Sequence, residues 1–147
     1  MNRRVSNPSI RYGTPDDLDA VLDLWTLSDA QPTVTDSIEP LRCLLTTDPQ
    51  ALLVADTRGE AVGSLIAAWN GWRGSFYRLA VHPDHRRRGL ATRLVREGEK
   101  CLRDRGAVRL DAIVAADEAA AMSFWSAVGY ERQGDRSRFV RNFRDSF

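Results

Sequence analysis

The residues best placed to do chemistry lie between Leu79 and Thr92, in the run LAVHPDHRRRGLAT. Leu79, Ala80 and Val81 are apolar and lead to Pro83, which cannot continue a strand ladder. Arg86, Arg87 and Arg88 then precede Gly89. Beyond the glycine, Leu90, Leu94, Val95, Gly98, Cys101 and Leu102 recur on one helical face, and Arg93, Arg96, Glu97, Lys100 and Arg103 fall largely on the other. A helix start leaves backbone N–H groups unpaired and carries partial positive charge. Glycine lets an anion approach that backbone, and arginine adds charge-assisted bonds to phosphate. The segment therefore predicts a strand feeding a helix start that holds a pyrophosphate.

Other reactive side chains are sparse. His82 sits between the strand end and Pro83 and reads as a turn residue. Cys43 and Cys101 are isolated, without CxxC or metal-ligand spacing, and their apolar helical context predicts buried thiols in a reducing cytoplasm. Two histidines and two cysteines at such spacings imply no metal.

These groups must be carried by a chain of 147 residues, 43% hydrophobic and 28% charged, which suits one soluble globular domain. Residues 1–8 read as a loose tail without an apolar signal core, and residues 9–147 as the single domain. No run approaches the roughly 18 apolar residues of a membrane span. The net charge of +1 provides no basic field and argues against a general nucleic-acid binder.

Ser9 to Tyr12 reads as a first strand. Thr14-Pro15-Asp16-Asp17 starts a helix, with Thr14 as cap, and Leu18, Val21, Leu22 and Trp25 form its apolar face. Ser28 to Thr35 is a loop. A second helix over 36–47 packs Ile38, Leu41, Leu44 and Leu45, and Asp48-Pro49 ends it. Strands follow at 51–56, 61–69 and 76–81, with turns at 57–60 and 70–75. After the Gly89 helix, Gly106 is a stop, 108–114 a fifth strand, and Asp117 or Glu118 starts a helix ending at Gly129. Residues 130–133 and 138–141 read as a last hairpin. The order β-α-α-β-β-β-α-β-α-β-β predicts an α/β (α+β) fold: a mixed, mostly antiparallel sheet of six to seven strands flanked by about four helices.

Two stretches carry a family resemblance. Arg86-Arg87-Arg88-Gly89-Leu90-Ala91 resembles the R/Q-x-x-G-x-G/A acyl-CoA signature of the Gcn5-related N-acetyltransferases. Ala121 to Glu131, AMSFWSAVGYE, is similar to that family's A-x-x-F-Y-x-x-x-G-F/Y helix and strand. The resemblance covers nearly the whole chain, and the segment Gly71-Trp72-Arg73-Gly74-Ser75 resembles a small bacterial branch of the family. It implies acetyl-CoA as co-substrate and transfer of the acetyl group to a primary amine by direct attack in a ternary complex. The acceptor would be a small molecule or a protein amino group. An exposed last hairpin is where such folds pair as homodimers.

The same resemblance implies the site. The Leu79 N–H would hold the oxyanion, and Leu79, Ala80 and Val81 would bind the pantetheine arm as an added strand. Arg86, Arg87, Arg88, Gly89, Leu90, Ala91 and Thr92 would hold the pyrophosphate, and Glu118 occupies the slot of a cofactor-binding asparagine. The proton chemistry departs from the family. Deprotonating an amine of pKa near 10.4 at pH 7 costs roughly 4–5 kcal/mol. The usual glutamate positions hold Ser75 and Ile113, neither a base, which leaves Asp111 as the nearest carboxylate. An exposed strand-end aspartate, or one paired with Arg109 or Arg78, is the other reading of Asp111. The usual tyrosine acid is Trp125, whose indole donates a hydrogen bond but is no useful acid. Trp125 is either this donor or a packing residue, and Tyr130 is read as core. Trp69 and Trp72 could sandwich an acceptor enclosed by the 28–35 loop, the 69–74 hairpin and the 134–137 loop. The rival reading is a non-catalytic acyl-CoA sensor or an arginine-rich RNA-contact module.

Overall fold

The computed structural model describes residues 7–28, 32–115 and 117–143. Most of the predicted tail and the centre of the 28–35 loop lie outside the described residues. The sheet runs β1 (Ser9–Tyr12), β2 (Leu52–Thr57), β3 (Glu60–Trp69), β4 (Gly74–Val81) and β5 (Leu110–Ala112), in that spatial order. Every pair is antiparallel except β4–β5, which is parallel. Two helices cover each face: α1 (Leu18–Leu27) and α2 (Ile38–Thr47) on one, α3 (Leu90–Asp104) and α4 (Ala119–Ala127) on the other.

Local chemistry explains these boundaries. A short 3-10 turn over Pro15–Asp17 leads into α1, and the Thr14 N–H donates to the Asp17 carboxylate at 2.8 Å, half of a capping box. The β2–β3 hairpin turns at Arg58 and Gly59 with φ of +54° and +80°, the primed turn that matches strand twist. Both α3 and α4 end in a glycine with positive φ and 6→1 and 5→2 backbone bonds: Ala107 N–H to Leu102 C=O and Gly106 to Arg103, then Tyr130 to Trp125 and Gly129 to Ser126.

The apolar faces read from periodicity are the buried ones. Val21, Leu24, Trp25, Leu41 and Leu45 meet Leu52, Val54 and Ile66 on one side of the sheet. Leu90, Leu94, Val95 and Leu102 meet Leu53, Leu65 and Phe76 on the other. The Trp25 indole N–H donates to the buried Ser64 hydroxyl at 2.8 Å, fixing α1 over β3.

Three expectations change. The sheet has five strands, not six or seven, because residues 130–133 and 138–141 add no rungs. All side chains from Glu131 to Phe143 are exposed, so no buried face sets a register for a last hairpin. The fifth strand shortens from 108–114 to Leu110–Ala112 for lack of that outer partner. Cys43 is exposed, because α2 turns Leu41 and Leu45 inward and leaves residue 43 on the outer side. Cys101 is half-buried, its Sγ 3.5 Å from the Tyr12 hydroxyl. That contact, followed by burial, pushes the Tyr12 phenol up to about 12.

Candidate active site

Strand β4 is where the sheet opens. Its register against β3 slips between Ser64↔Ala80 and Ile66↔Tyr77, so Arg78 and Leu79 together oppose Leu65. This is a β-bulge, and Arg78 sits in it at φ +53°, a left-handed conformation that a non-glycine residue rarely adopts. On the other edge, β5 pairs with β4 only as far as Phe76↔Ala112. Beyond Phe76 the two strands part.

The bulge also decides which way the backbone points. The His82 N–H donates to the Val62 carbonyl at 2.8 Å, so alternation along the ladder turns Ala80 toward β3. Leu79 and Val81 then direct their N–H and C=O groups to the side vacated by β5. The Val81 carbonyl is reached on that side by the Ser28 hydroxyl and the Arg86 Nε, both at 3.4 Å. The Leu79 and Val81 side chains pack against the core under α3. Side chain and backbone thus serve separate ends.

The turn after β4 presents the helix start. The His82 imidazole Nδ1 accepts the Asp84 N–H at 3.1 Å, so this histidine is a turn residue. Arg87 and Gly89 both have positive φ, +63° and +75°, and Gly89 caps α3. The Arg93 N–H makes the first bond of the helix, to the Gly89 carbonyl at 3.0 Å. The N–H groups of Leu90, Ala91 and Thr92 precede it and have no partner within the helix. Arg86, Arg87 and Arg88 are exposed, and no described carboxylate lies within ion-pairing distance of them.

A cleft of about 590 Å³ lies where β4 and β5 part. Leu79, Ala80, Tyr77 and Arg78 of β4 line it, with Ser28, Thr33, Thr35 and Asp36 from the α1–α2 connection and Val114, Glu118 and Trp125 beyond β5. Trp125 stacks on Phe76 at a centroid distance of 5.9 Å and meets Tyr130 edge-on at 5.0 Å. It is half-buried packing with one edge in the cleft. Glu118 is exposed at the N-cap of α4 and makes no side-chain cap bond. Tyr130 packs inward as expected, and its hydroxyl donates to Glu99 at 2.7 Å. Burial first, then Glu99, raises its phenol well above the usual range.

Other sequence-predicted residues fall elsewhere. Asp111 pairs in register with Ser75 and lines a second cavity of about 680 Å³ beside Tyr130 and Arg132. Asp111 is exposed and neither anticipated ion pair forms; Arg78 meets Asp36 instead. Trp69 is half-buried against the α3 core, and Trp72 is 67% exposed under the Arg73 guanidinium. Neither lines the cleft, since their hairpin joins β4 at the end remote from Leu79. Gly134 and Arg136 line the second cavity, and Arg138 the first. Sequence reasoning missed Tyr77 and the Arg78–Asp36 pair; their signal was only the presence of polar residues in an otherwise apolar strand. Among the described residues, no three His, Cys, Asp or Glu side chains gather as a metal site requires. Nor is any described helix long and apolar enough to cross a membrane.

This split α/β sheet is the fold of known acetyltransferases. Ard1 from Thermoplasma volcanium superposes with a TM-score of 0.75 over 84% of this chain and 82% of that one, at 19% identity. The aminoglycoside N-acetyltransferase AAC(6')-Iy in complex with CoA superposes at 0.73 over 98% and 100%, also at 19% identity. Sequence likeness is stronger among curated bacterial proteins. An acetyltransferase of Pectobacterium atrosepticum is 38% identical over 122 residues, 83% of this chain and 86% of that one. One from Sodalis glossinidius is 37% identical over 124 residues, 84% and 87% of the two chains. The Acetyltransferase (GNAT) family model matches residues 20–130. The chain belongs to the GNAT acetyltransferase family.

Proposed function

We propose that this protein transfers an acetyl group from acetyl-CoA to a primary amine by direct attack within a ternary complex. The observation that carries this reading is the parting of β4 from β5 beside a glycine-capped helix start. Leu79 and Val81 direct backbone donors into the gap, and a solved relative in fold, PaiA N-acetyltransferase from Thermoplasma acidophilum, is in complex with coenzyme A. The pantetheine arm lies along Leu79, Ala80 and Val81. The N–H groups of Arg88, Gly89, Leu90 and Ala91 and the Thr92 hydroxyl hold the pyrophosphate, with Arg86 and Arg87 adding charge. The Leu79 N–H polarises the thioester carbonyl, a contribution typically worth about 3–4 kcal/mol of barrier.

The amine enters from the side of Ser28, Thr33, Thr35 and Arg138, attacks the carbonyl carbon, and expels the CoA thiolate. Its proton leaves through solvent, since the positions where the family carries its base and acid hold Ser75, Ile113 and Trp125, and Asp111 lines the other cavity. Catalysis then rests on orientation and on the oxyanion donor. The lack of a base or acid at those usual positions favours a second reading, an acyl-CoA sensor without turnover.

Gly89→Asp tests the cofactor site. Nothing stands within 4 Å of a Cβ at residue 89, and aspartate tolerates positive φ better than most residues, so the fold is retained. The added carboxylate repels pyrophosphate. Calorimetry should show acetyl-CoA affinity falling at least about tenfold; unchanged affinity overturns the assignment. Thiol release over an amine panel separates enzyme from sensor.

A further inference from the structure

Arg78 stands where the β4 bulge and the α1–α2 connection meet. Its backbone is left-handed at φ +53°, against the preference of every residue with a Cβ except asparagine and aspartate. Its side chain is held by two partners, Asp36 and Trp25. The Nε donates to Asp36 Oδ1 at 3.1 Å, and an Nη2 meets Oδ2, giving a two-point fork. The guanidinium lies 5.8 Å from the Trp25 ring, which is itself fixed by the 2.8 Å bond to Ser64. The pair is well shielded, with side chains 20% and 11% exposed. Asp36 in turn accepts the Thr33 N–H at 3.0 Å, so the carboxylate organises the segment that brings Thr33 and Thr35 to the cleft.

We infer that Arg78 is a positioning residue: through Asp36 it holds residues 33–37 as the acceptor-side wall of the cleft and ties that wall to the bulge that aims the Leu79 N–H. The inference rests on the proposed acetyl transfer for the role of the wall, but not for the coupling itself. Glycine would satisfy the bulge backbone at no steric cost yet leave the wall untied.

The test compares wild type with Arg78→Gly, Asp36→Asn and Arg78→Lys in the full chain. Hydrogen exchange of residues 33–37 reads the wall directly, whatever the activity. Exchange there should accelerate at least about tenfold in Arg78→Gly and Asp36→Asn, with partial restoration in Arg78→Lys. Acetyl-CoA affinity by calorimetry should stay within about threefold of wild type, while the KM for an amine found in the panel rises about tenfold or more and kcat changes less. Unchanged exchange at 33–37 in both disrupting variants overturns the coupling. Acceleration accompanied by an equal loss of acetyl-CoA affinity overturns the acceptor-side assignment. Wild-type protein that binds no acetyl-CoA defeats the transferase reading alone, because the exchange comparison still decides the coupling.

Discussion

Individual side chains here act by restraining charge. Asp17 is held below its ordinary carboxylate value mainly by the hydrogen bond from Arg11, helped by the Thr14 N–H and opposed by desolvation. Arg11 also reaches Asp56, so one guanidinium joins β1 to the start of α1 and to β2. A depressed carboxylate stabilises the fold above its unfolded value of 3.8 and loses that contribution as pH falls below it. Asp17→Asn should therefore cost about 1 kcal/mol in urea melts at pH 7 and almost nothing near pH 2. Tyr130 works in the opposite sense. Its raised phenol keeps the proton more firmly in the folded state, so its contribution is complete below the ordinary value of 10.0 and is lost as pH rises beyond it. Tyr130→Phe should cost about 1 kcal/mol at pH 8 and show a flatter stability profile than wild type above pH 10. Parallel alkaline profiles for the two proteins would refute the raised phenol of Tyr130.

At the level of elements, α3 is decided by how closely it approaches the sheet. Gly98 faces the centre of β3 and β4. A Cβ there would lie 2.7 Å from the Phe76 ring and 3.1 Å from Leu65. Helix propensity alone predicts that Gly98→Ala gains about 1 kcal/mol. Because Phe76 and Leu65 are fully buried and cannot swing aside, overpacking dominates, and the net effect should be a loss of about 1–3 kcal/mol, read as a lower urea midpoint. A higher midpoint would mean that the helix stands off further than described. The α3 register was legible in the sequence, because Leu90, Leu94, Val95, Gly98 and Leu102 repeat at helical spacing. The β4 bulge was not legible from these residues themselves. A bulge adds one residue to one strand, and no residue type announces it, least of all an arginine in a left-handed conformation.

For the whole molecule, two cores on opposite sheet faces share the strands that carry the cleft. A ligand that bridges β4 and the start of α3 therefore stabilises both. Acetyl-CoA at a hundred times its Kd should add about 2.7 kcal/mol, raising Tm by roughly 5–11 °C, and Gly89→Asp should cut the shift to about half or less at the same concentration. Element order as far as α4, the buried faces of α1, α2 and α3 and the strand, turn and helix start of Leu79–Thr92 were set by the sequence itself, since periodicity, capping residues and glycines act over a few neighbours. Tertiary structure decided the rest. It shortened β5, left residues 130–143 without a ladder, carried Asp111 into the second cavity and turned Trp72 outward. It also brought Asp36 to Arg78 across 42 residues of chain. These outcomes depend on which distant surface each side chain meets, and the energy of such a meeting is written in no local pattern.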